Sequence, residues 1–246
     1  MTDDPEDHKF SEGQGFDDPY DAFDIDPPEL EVDPDQVDPV DSRVLTDMLD
    51  EHNVGAEDVD ADSLVDVGLE YIRINRHEQA TEAFERAARY AEDDLVEQEA
   101  WVNKGAAHAE LEEYDAAIGA YQEALSIDED SEHAATAETN LAYALWEFGH
   151  TEEALEHAER AVELDPRFGQ AWYNRGFFLN ERGLAEDALN CFDNALRLGF
   201  KNVELLEEKA VALEDIGEDE RAEEVAQEAD ELRESAEEQL VESRER

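Results

Sequence analysis

The sequence contains few of the residues that stabilise small secreted proteins or bind nucleic acids. A single cysteine, Cys191, excludes an internal disulfide, so nothing indicates an oxidising compartment. Only four lysines stand among the 18 basic residues, against 72 acidic residues. The resulting net charge of -54 makes nucleic acids and anionic membranes unfavourable partners, because both would be repelled.

Long apolar runs are absent as well. No stretch approaches the roughly 18 consecutive apolar residues that a membrane-spanning helix needs, although 41% apolar residues suffice for a buried core. The first residues, MTDDPEDHK, are acidic where a secretory signal would be positively charged. We therefore expect a cytoplasmic protein.

The acidic residues are spread over the whole chain rather than concentrated in one tail. This pattern resembles the highly acidic, halophilic (haloarchaeal-like) proteins of organisms with molar cytoplasmic salt, where a Debye length of about 3 Å screens most of the repulsion. The alternative interpretation is an acidic surface that binds basic proteins or cations.

Composition changes along the chain. Residues 1–42 hold six of the seven prolines and 16 acidic residues against Lys9 alone, so we predict a disordered acidic tail. Residues 43–60 predict a short lead-in helix and linker, with Val44, Leu45 and Met48 on one helix face.

From residue 61 onward, a pattern of small and large residues recurs along the chain. Gly176, Ala188, Phe192 and Ala195 each have a counterpart 34 residues earlier and another 34 residues later. Two further copies of the pattern lie upstream, and three extra residues separate each of them from the copy that follows. Small residues let paired helices approach closely, and a large one fills the space between them. The complete set is Gly68, Ala80, Phe84, Ala87, Gly105, Ala117, Tyr121, Ala124, Ala142, Ala154, Ala158, Ala161, Gly176, Ala188, Phe192, Ala195, Ala210, Ala222, Ala226 and Ala229.

This spacing, at positions 8, 20, 24 and 27 of each unit, resembles the tetratricopeptide repeat family. The stretch AWYNRGFFLNERGLAEDALNCFDNALRLGF follows the family pattern over nearly its whole length, with Trp172 at position 4. The resemblance implies an all-α superhelical solenoid of helical hairpins, in which neighbouring units stabilise one another. The five predicted units are residues 61–94, 98–131, 135–168, 169–202 and 203–236, followed by a polar helix extension at 237–246.

In this family the first helix of each unit lines a concave groove, through positions 2, 5, 6, 9, 12 and 13. Position 6 carries an asparagine in three successive units, and an amide ladder could pair with the backbone of an extended peptide. A second interpretation is that these amides belong to the repeat pattern and bond within their own units, and that the aromatic residues are partly buried. The candidate groove residues are Asn103, Asn140, Asn174, Val102, Tyr143, Trp146, Tyr173 and Phe177.

Charge in the groove favours a basic ligand over an acidic one. Some relatives grip a peptide carboxylate with two lysines, whereas the corresponding positions here include Glu99, Thr136 and Gln170. The fifth unit adds Glu204, Glu207, Glu208, Glu214 and Asp215. The alternative interpretation is that these carboxylates only form a solvated face.

Residues suited to catalysis, metal binding or cofactor binding do not form a recognisable pattern, so we predict no enzyme, no metal site and no cofactor. The leading hypothesis is an adaptor that binds an extended segment or a helix of another protein in the groove. The alternative is self-assembly through the ends or outer face of the solenoid. In a third hypothesis, the groove is occupied by the chain's own tail, through Phe16, Tyr20 and Phe23.

Overall fold

The structure, a computed structural model, describes residues 60–244, with side chains up to residue 237. Within that range the chain forms ten helices and no strand, which confirms the predicted all-α fold. The tail predicted for residues 1–42 and the lead-in helix and linker predicted within 43–60 lie outside the described residues, apart from residue 60. The helices are α1 (Ala61–Arg73), α2 (His77–Tyr90), α3 (Asp94–Glu110), α4 (Tyr114–Ile127), α5 (Ala134–Phe148), α6 (Thr151–Leu164), α7 (Gly169–Glu181), α8 (Ala185–Arg197), α9 (Val203–Asp215) and α10 (Asp219–Arg244).

The helices form five consecutive hairpins, from α1–α2 to α9–α10. The two helices of each hairpin pack together, and the second helix also packs on the first helix of the next hairpin. The first helices α1, α3, α5, α7 and α9 contact one another in that order. They therefore form one continuous layer, which we call the first-helix wall.

Close packing inside the first four hairpins depends on the residues at positions 8 and 24. A Cβ atom added at Gly105 would lie 2.5 Å from the ring of Tyr121, and one added at Gly176 would lie 2.7 Å from the ring of Phe192. Gly68 faces Phe84 in the same way. The third hairpin instead carries two buried alanines, Ala142 and Ala158. In the fifth hairpin Ala226, at position 24, is exposed and does not contribute to the packing. The two positions are therefore filled in two ways: by glycine with an aromatic ring in the first, second and fourth hairpins, and by two alanines in the third.

The turn inside each hairpin has a left-handed residue at position 15. Gly149, Gly183 and Gly217 adopt φ values of 96°, 73° and 77° there, as expected for glycines that end helices. The first two hairpins use Asn75, at φ 56°, and Glu112, at φ 60°. Glutamate rarely adopts this conformation because its Cβ approaches the following carbonyl oxygen.

Replacing Glu112 with glycine is expected to stabilise the protein. The substitution relieves a left-handed conformation that costs an ordinary residue about 1–2 kcal/mol, while glycine adds flexibility to the unfolded chain. We expect a net gain of about 0.5–1 kcal/mol in the free energy of unfolding, measured by urea titration at fixed salt. Glu123→Gly, at an exposed site inside α4, is the matched control and should lose about 0.5–1 kcal/mol. A loss at both positions would contradict the argument.

The three extra residues at each upstream join are accommodated differently. At the first join α3 begins at Asp94, one turn before the predicted start of its unit at residue 98, and the carboxylate of Asp93 accepts a hydrogen bond from the backbone N–H of Leu95 at 2.8 Å. At the second join the longer connection, residues 128–133, is held by the fully buried Gln98. Its Nε2 donates to the carbonyl oxygens of Ala124 and Asp128, at 2.9 and 2.6 Å.

Candidate functional site

A pocket of about 310 Å³ opens on the first-helix wall and brings together side chains from three successive hairpins. We call it the tyrosine pocket, after Tyr121, Tyr143 and Tyr173. Its lining comprises Ala106, Ala109 and Glu110 of α3, Tyr121 of α4, Asn140 and Tyr143 of α5, Gln170, Tyr173 and Asn174 of α7, and Phe200 and Asn202 between α8 and α9.

The tyrosine pocket contains four of the eight candidate groove residues, Asn140, Tyr143, Tyr173 and Asn174. Tyr143 is the most accessible of them, with 44% of its surface exposed. Asn103, Trp146 and Phe177 are partly buried and do not line the pocket.

Val102 belongs to the main hydrophobic core and is only 6% exposed, so its predicted place on the groove surface is corrected to the interior. Position 5 is also buried at Val65 and Thr139. The reason is that α3 lies between α1 and α5 in the wall, so this position faces a neighbouring helix.

Two of the three ladder asparagines interact with the preceding hairpin, and one of them is hydrogen-bonded to it. Asn174 is 5% exposed, and its Nδ2 donates to the carbonyl oxygen of Thr139 at 3.1 Å. Burial raises the pKa of the Tyr121 hydroxyl on α4, and the side chain of Asn140 lowers it in part. The amide of Asn174 therefore ties its hairpin to the preceding one, a role different from both bonding within its own unit and lying free for a ligand.

Three of the four aromatic candidates, Trp146, Tyr173 and Phe177, belong to a continuous patch beside the pocket. Trp146 contacts Phe177 edge-to-face at a ring-centroid distance of 5.3 Å and stacks on the buried Phe178 at 5.1 Å. Tyr173 lies 5.5 Å from Phe200 and 6.5 Å from Phe177. Because the rings support one another, the exposed edges of the patch are held in fixed positions.

Carboxylates surround the two accessible tyrosines. Burial, followed by the charge of Glu147, raises the pKa of Tyr143 to about 12. Burial, followed by the charges of Glu208 and Glu204, raises the pKa of Tyr173 to about 12 as well. Both phenols consequently stay neutral at physiological pH and keep a proton to donate, in a region of negative potential.

The groove positions of the second to fifth units carry nine acidic residues and no lysine or arginine. Glu207 is paired with Arg233, which reaches it from α10. Glu110, in the tyrosine pocket, forms no ion pair among the described residues. The nine are Glu99, Glu110, Glu147, Glu181, Glu204, Glu207, Glu208, Glu214 and Asp215.

The pocket could have been predicted from the residues at position 9 of each unit, rather than from the asparagines at position 6. Position 9 reads Leu69, Ala106, Tyr143, Phe177 and Val211 in successive units. Ala106 is the one small residue in that row, so the wall is hollow beside Tyr143. Phe200 and Asn202 carried no such signal, because they lie in a connection outside the repeat positions for the groove.

Other reactive side chains of the described region take structural places. Burial raises the pKa of the Cys191 thiol to about 11, so it packs as a neutral side chain. The Nδ1 atom of His157 lies 2.5 Å from the buried carboxylate of Glu138, which occupies position 4 where other units have tryptophan. Between residues 60 and 237, no three His, Cys, Asp or Glu side chains are grouped to hold a metal ion. None of the helices in the described part is both long and apolar enough to traverse a bilayer.

Stacked helical hairpins with a shared wall define the class of helical repeat proteins. Four family models described as tetratricopeptide repeat match residues 61–94, 97–167, 157–190 and 179–237. The chain belongs to the tetratricopeptide repeat family, whose members mediate protein–protein interaction and assembly.

Curated relatives share only part of their length with this chain. Photosystem I assembly protein Ycf3 of Acaryochloris marina is 36% identical over 76 residues, which cover 30% of this chain and 46% of Ycf3. Small glutamine-rich tetratricopeptide repeat-containing protein 2 of Mycosarcoma maydis is 26% identical over 112 residues, 46% of this chain and 31% of that protein. The matched parts therefore span between about a third and a half of these two relatives.

Solved structures share the fold. MamA (residues 41 to the end) from Desulfovibrio magneticus RS-1 superposes with a TM-score of 0.58 at 19% identity, covering 71% of this chain and 96% of MamA. YrrB, described as a tetratricopeptide repeat protein with an unusual peptide-binding site, gives 0.54 at 20% identity, covering 76% and 91%. At these identities the similarity shows the architecture.

Proposed function

We propose that this chain is a non-catalytic cytoplasmic adaptor that holds an extended segment or a helix of a partner protein against the first-helix wall. The observation that carries the proposal is the tyrosine pocket beside a fixed aromatic patch, with Tyr143 44% exposed. Accessible aromatic side chains held rigidly by their neighbours are typical anchors in protein interfaces. A peptide-binding site in YrrB, a protein of the same architecture, is consistent with this use of the fold.

The charge of the wall favours a basic segment. Carboxylates line the groove positions from the second to the fifth hairpin, none of these positions carries a lysine or arginine, and Arg233 of α10 pairs with Glu207 alone among them. An acidic ligand would be repelled, whereas a basic one would be attracted most strongly at low ionic strength. The proposal therefore takes the ligand to be a basic segment, in a host whose salt concentration allows so acidic a chain to remain folded.

Site-specific photo-crosslinking in the native host tests the adaptor function. A benzophenone amino acid placed at Tyr143 is expected to cross-link to a different protein, while the same group at Asn190, exposed on α8, is not. Tyr143→Ala is expected to lower recovery of that protein about ten-fold in a pull-down, as for an aromatic anchor. Its melting temperature should fall less than for truncation of a fully buried ring, because 44% of the Tyr143 surface is exposed.

The same experiment distinguishes the alternative function. Cross-links between two copies of this chain, formed from Asn190 and not from position 143, would contradict the adaptor and support assembly through the outer face. Cross-links from position 143 to the chain's own residues 1–42 would instead support occupation of the groove by its tail.

A further inference from the structure

The size of the tyrosine pocket limits what can enter it. Ligand pockets commonly range from about 300 to 1,000 Å³, and this one, at about 310 Å³, lies at the lower end. It suits a single side chain better than a whole helix. A segment lying along the first-helix wall could place one residue in it.

The lining combines aromatic surface with a carboxylate and several amides, beside two alanines. Tyr143, Tyr173 and Phe200 supply ring surface, with Tyr173 and Phe200 inclined at 34° to each other. Glu110 supplies a carboxylate without an ion-pair partner among the described residues, and the side chain of Gln170 supplies an amide oxygen. No lysine or arginine lines the pocket. Ring faces and acceptors together match a cation that is flat and carries several N–H groups.

The surroundings favour positive charge over a neutral group. Glu147 acts on Tyr143, and Glu204, Glu207 and Glu208 act on Tyr173. Their negative potential extends to the pocket, where partial burial reduces screening by salt. A carboxylate or phosphate would be repelled there.

We infer that the tyrosine pocket is a specificity site for one arginine side chain of the bound segment. The guanidinium stacks on the accessible tyrosine rings and donates hydrogen bonds to Glu110 and Gln170. Lysine fits less well, because its ammonium is a compact charge that cannot stack and is more strongly hydrated. This inference rests on the proposed function, since it concerns a residue of the partner held against the wall.

A pair of matched peptides tests the inference directly. The probe is acetyl-Gly-Ser-Ala-Arg-Ala-Ser-Gly-amide, and its control carries citrulline, a neutral residue of nearly the same shape, in place of arginine. Each is titrated into the full chain with labelled tyrosines while NMR shifts are followed. We expect the arginine peptide to shift the Tyr143 and Tyr173 signals with a Kd at least about ten-fold lower than that of the citrulline peptide, and a lysine peptide to fall between them.

Substitutions in the pocket and away from it test whether the arginine peptide binds there. Glu110→Gln is expected to weaken the arginine peptide about three- to ten-fold while leaving the citrulline peptide unchanged. Glu123→Gln, exposed on α4 away from the pocket, removes the same charge and should have little effect. Tyr143→Leu keeps the apolar volume but removes the ring, and should reduce the preference for arginine over lysine.

The inference and the proposed function fail in different ways. Equal affinities for the arginine and citrulline peptides, shifts confined to residues outside the pocket, or no shift up to about 10 mM peptide would each overturn the arginine site. If position 143 still cross-links to a partner in the host, the groove function survives that result. If the arginine peptide binds as expected but no partner cross-links from position 143, the arginine preference stands as a property of the pocket and the adaptor function fails.

Discussion

Gly176→Ala is expected to lower the free energy of unfolding by about 1–3 kcal/mol, although it adds only one methyl group. That methyl would lie 2.7 Å from the ring of Phe192, which is fully buried and cannot move away without disturbing its neighbours. Phe192→Ala, which leaves a cavity, is expected to lower it by about 3–5 kcal/mol. Urea titration at fixed salt measures both.

The double variant tests whether the residues at positions 8 and 24 constrain each other. Gly176→Ala with Phe192→Ala recreates the pair that the third hairpin already has in Ala142 and Ala158. Since the added methyl then enters the vacated space, the combined loss should be smaller than the sum of the two single losses by about 1–2 kcal/mol. Gly119→Ala is the control: nothing lies within 4 Å of its added Cβ, so a gain of about 0.5–1 kcal/mol is expected. Additive losses would show that positions 8 and 24 do not constrain each other.

Dialysis from molar salt to about 0.1 M is expected to remove much of the helical circular dichroism signal. The net charge of -54 is screened within about 3 Å in 1 M salt but only within about 10 Å in 0.1 M salt, so repulsion then acts between neighbouring carboxylates. The fifth hairpin should be affected first. Burial and the nearby Glu181 and Glu207 already raise the pKa of Glu208 there, so its charged form is disfavoured in the folded state.

A control with sucrose tests whether salt acts by screening charge or by stabilising compact states in general. It strengthens burial without screening charge, so it should leave most of the low-salt loss in place. Restoring potassium chloride should recover the signal. Full helical content at 0.1 M salt without additives would contradict the proposed adaptation to concentrated salt.

The fold could be predicted from the sequence because it depends on a spacing that recurs. A residue such as Gly176 or Phe192 has a counterpart in every unit, so five copies report the same packing geometry. The left-handed turns at Gly149, Gly183 and Gly217 followed from residue type. The left-handed turns at Asn75 and Glu112 could not be predicted from residue type. Only the alignment of these residues with the glycines of the other units indicates their conformation.

The candidate site was less predictable, because it depends on differences between units. Asn174 was assigned to the groove surface by its position, yet the neighbouring α5 offers it the carbonyl oxygen of Thr139, and it is buried there. Val102 is buried for a similar reason. The hollow beside Tyr143 arises from the small Ala106 in the preceding unit, and only alignment of position 9 across units reveals it.

The two ways of filling positions 8 and 24 bear on how such a chain can diversify. A genetic crossover in the turn between two helices of a hairpin would join the alanine of α5 to the phenylalanine of α8, or the glycine of α7 to the alanine of α6. The first product is overfilled and the second hollow. Crossovers between hairpins keep each pair intact, so the exchange of a whole hairpin preserves the packing inside it.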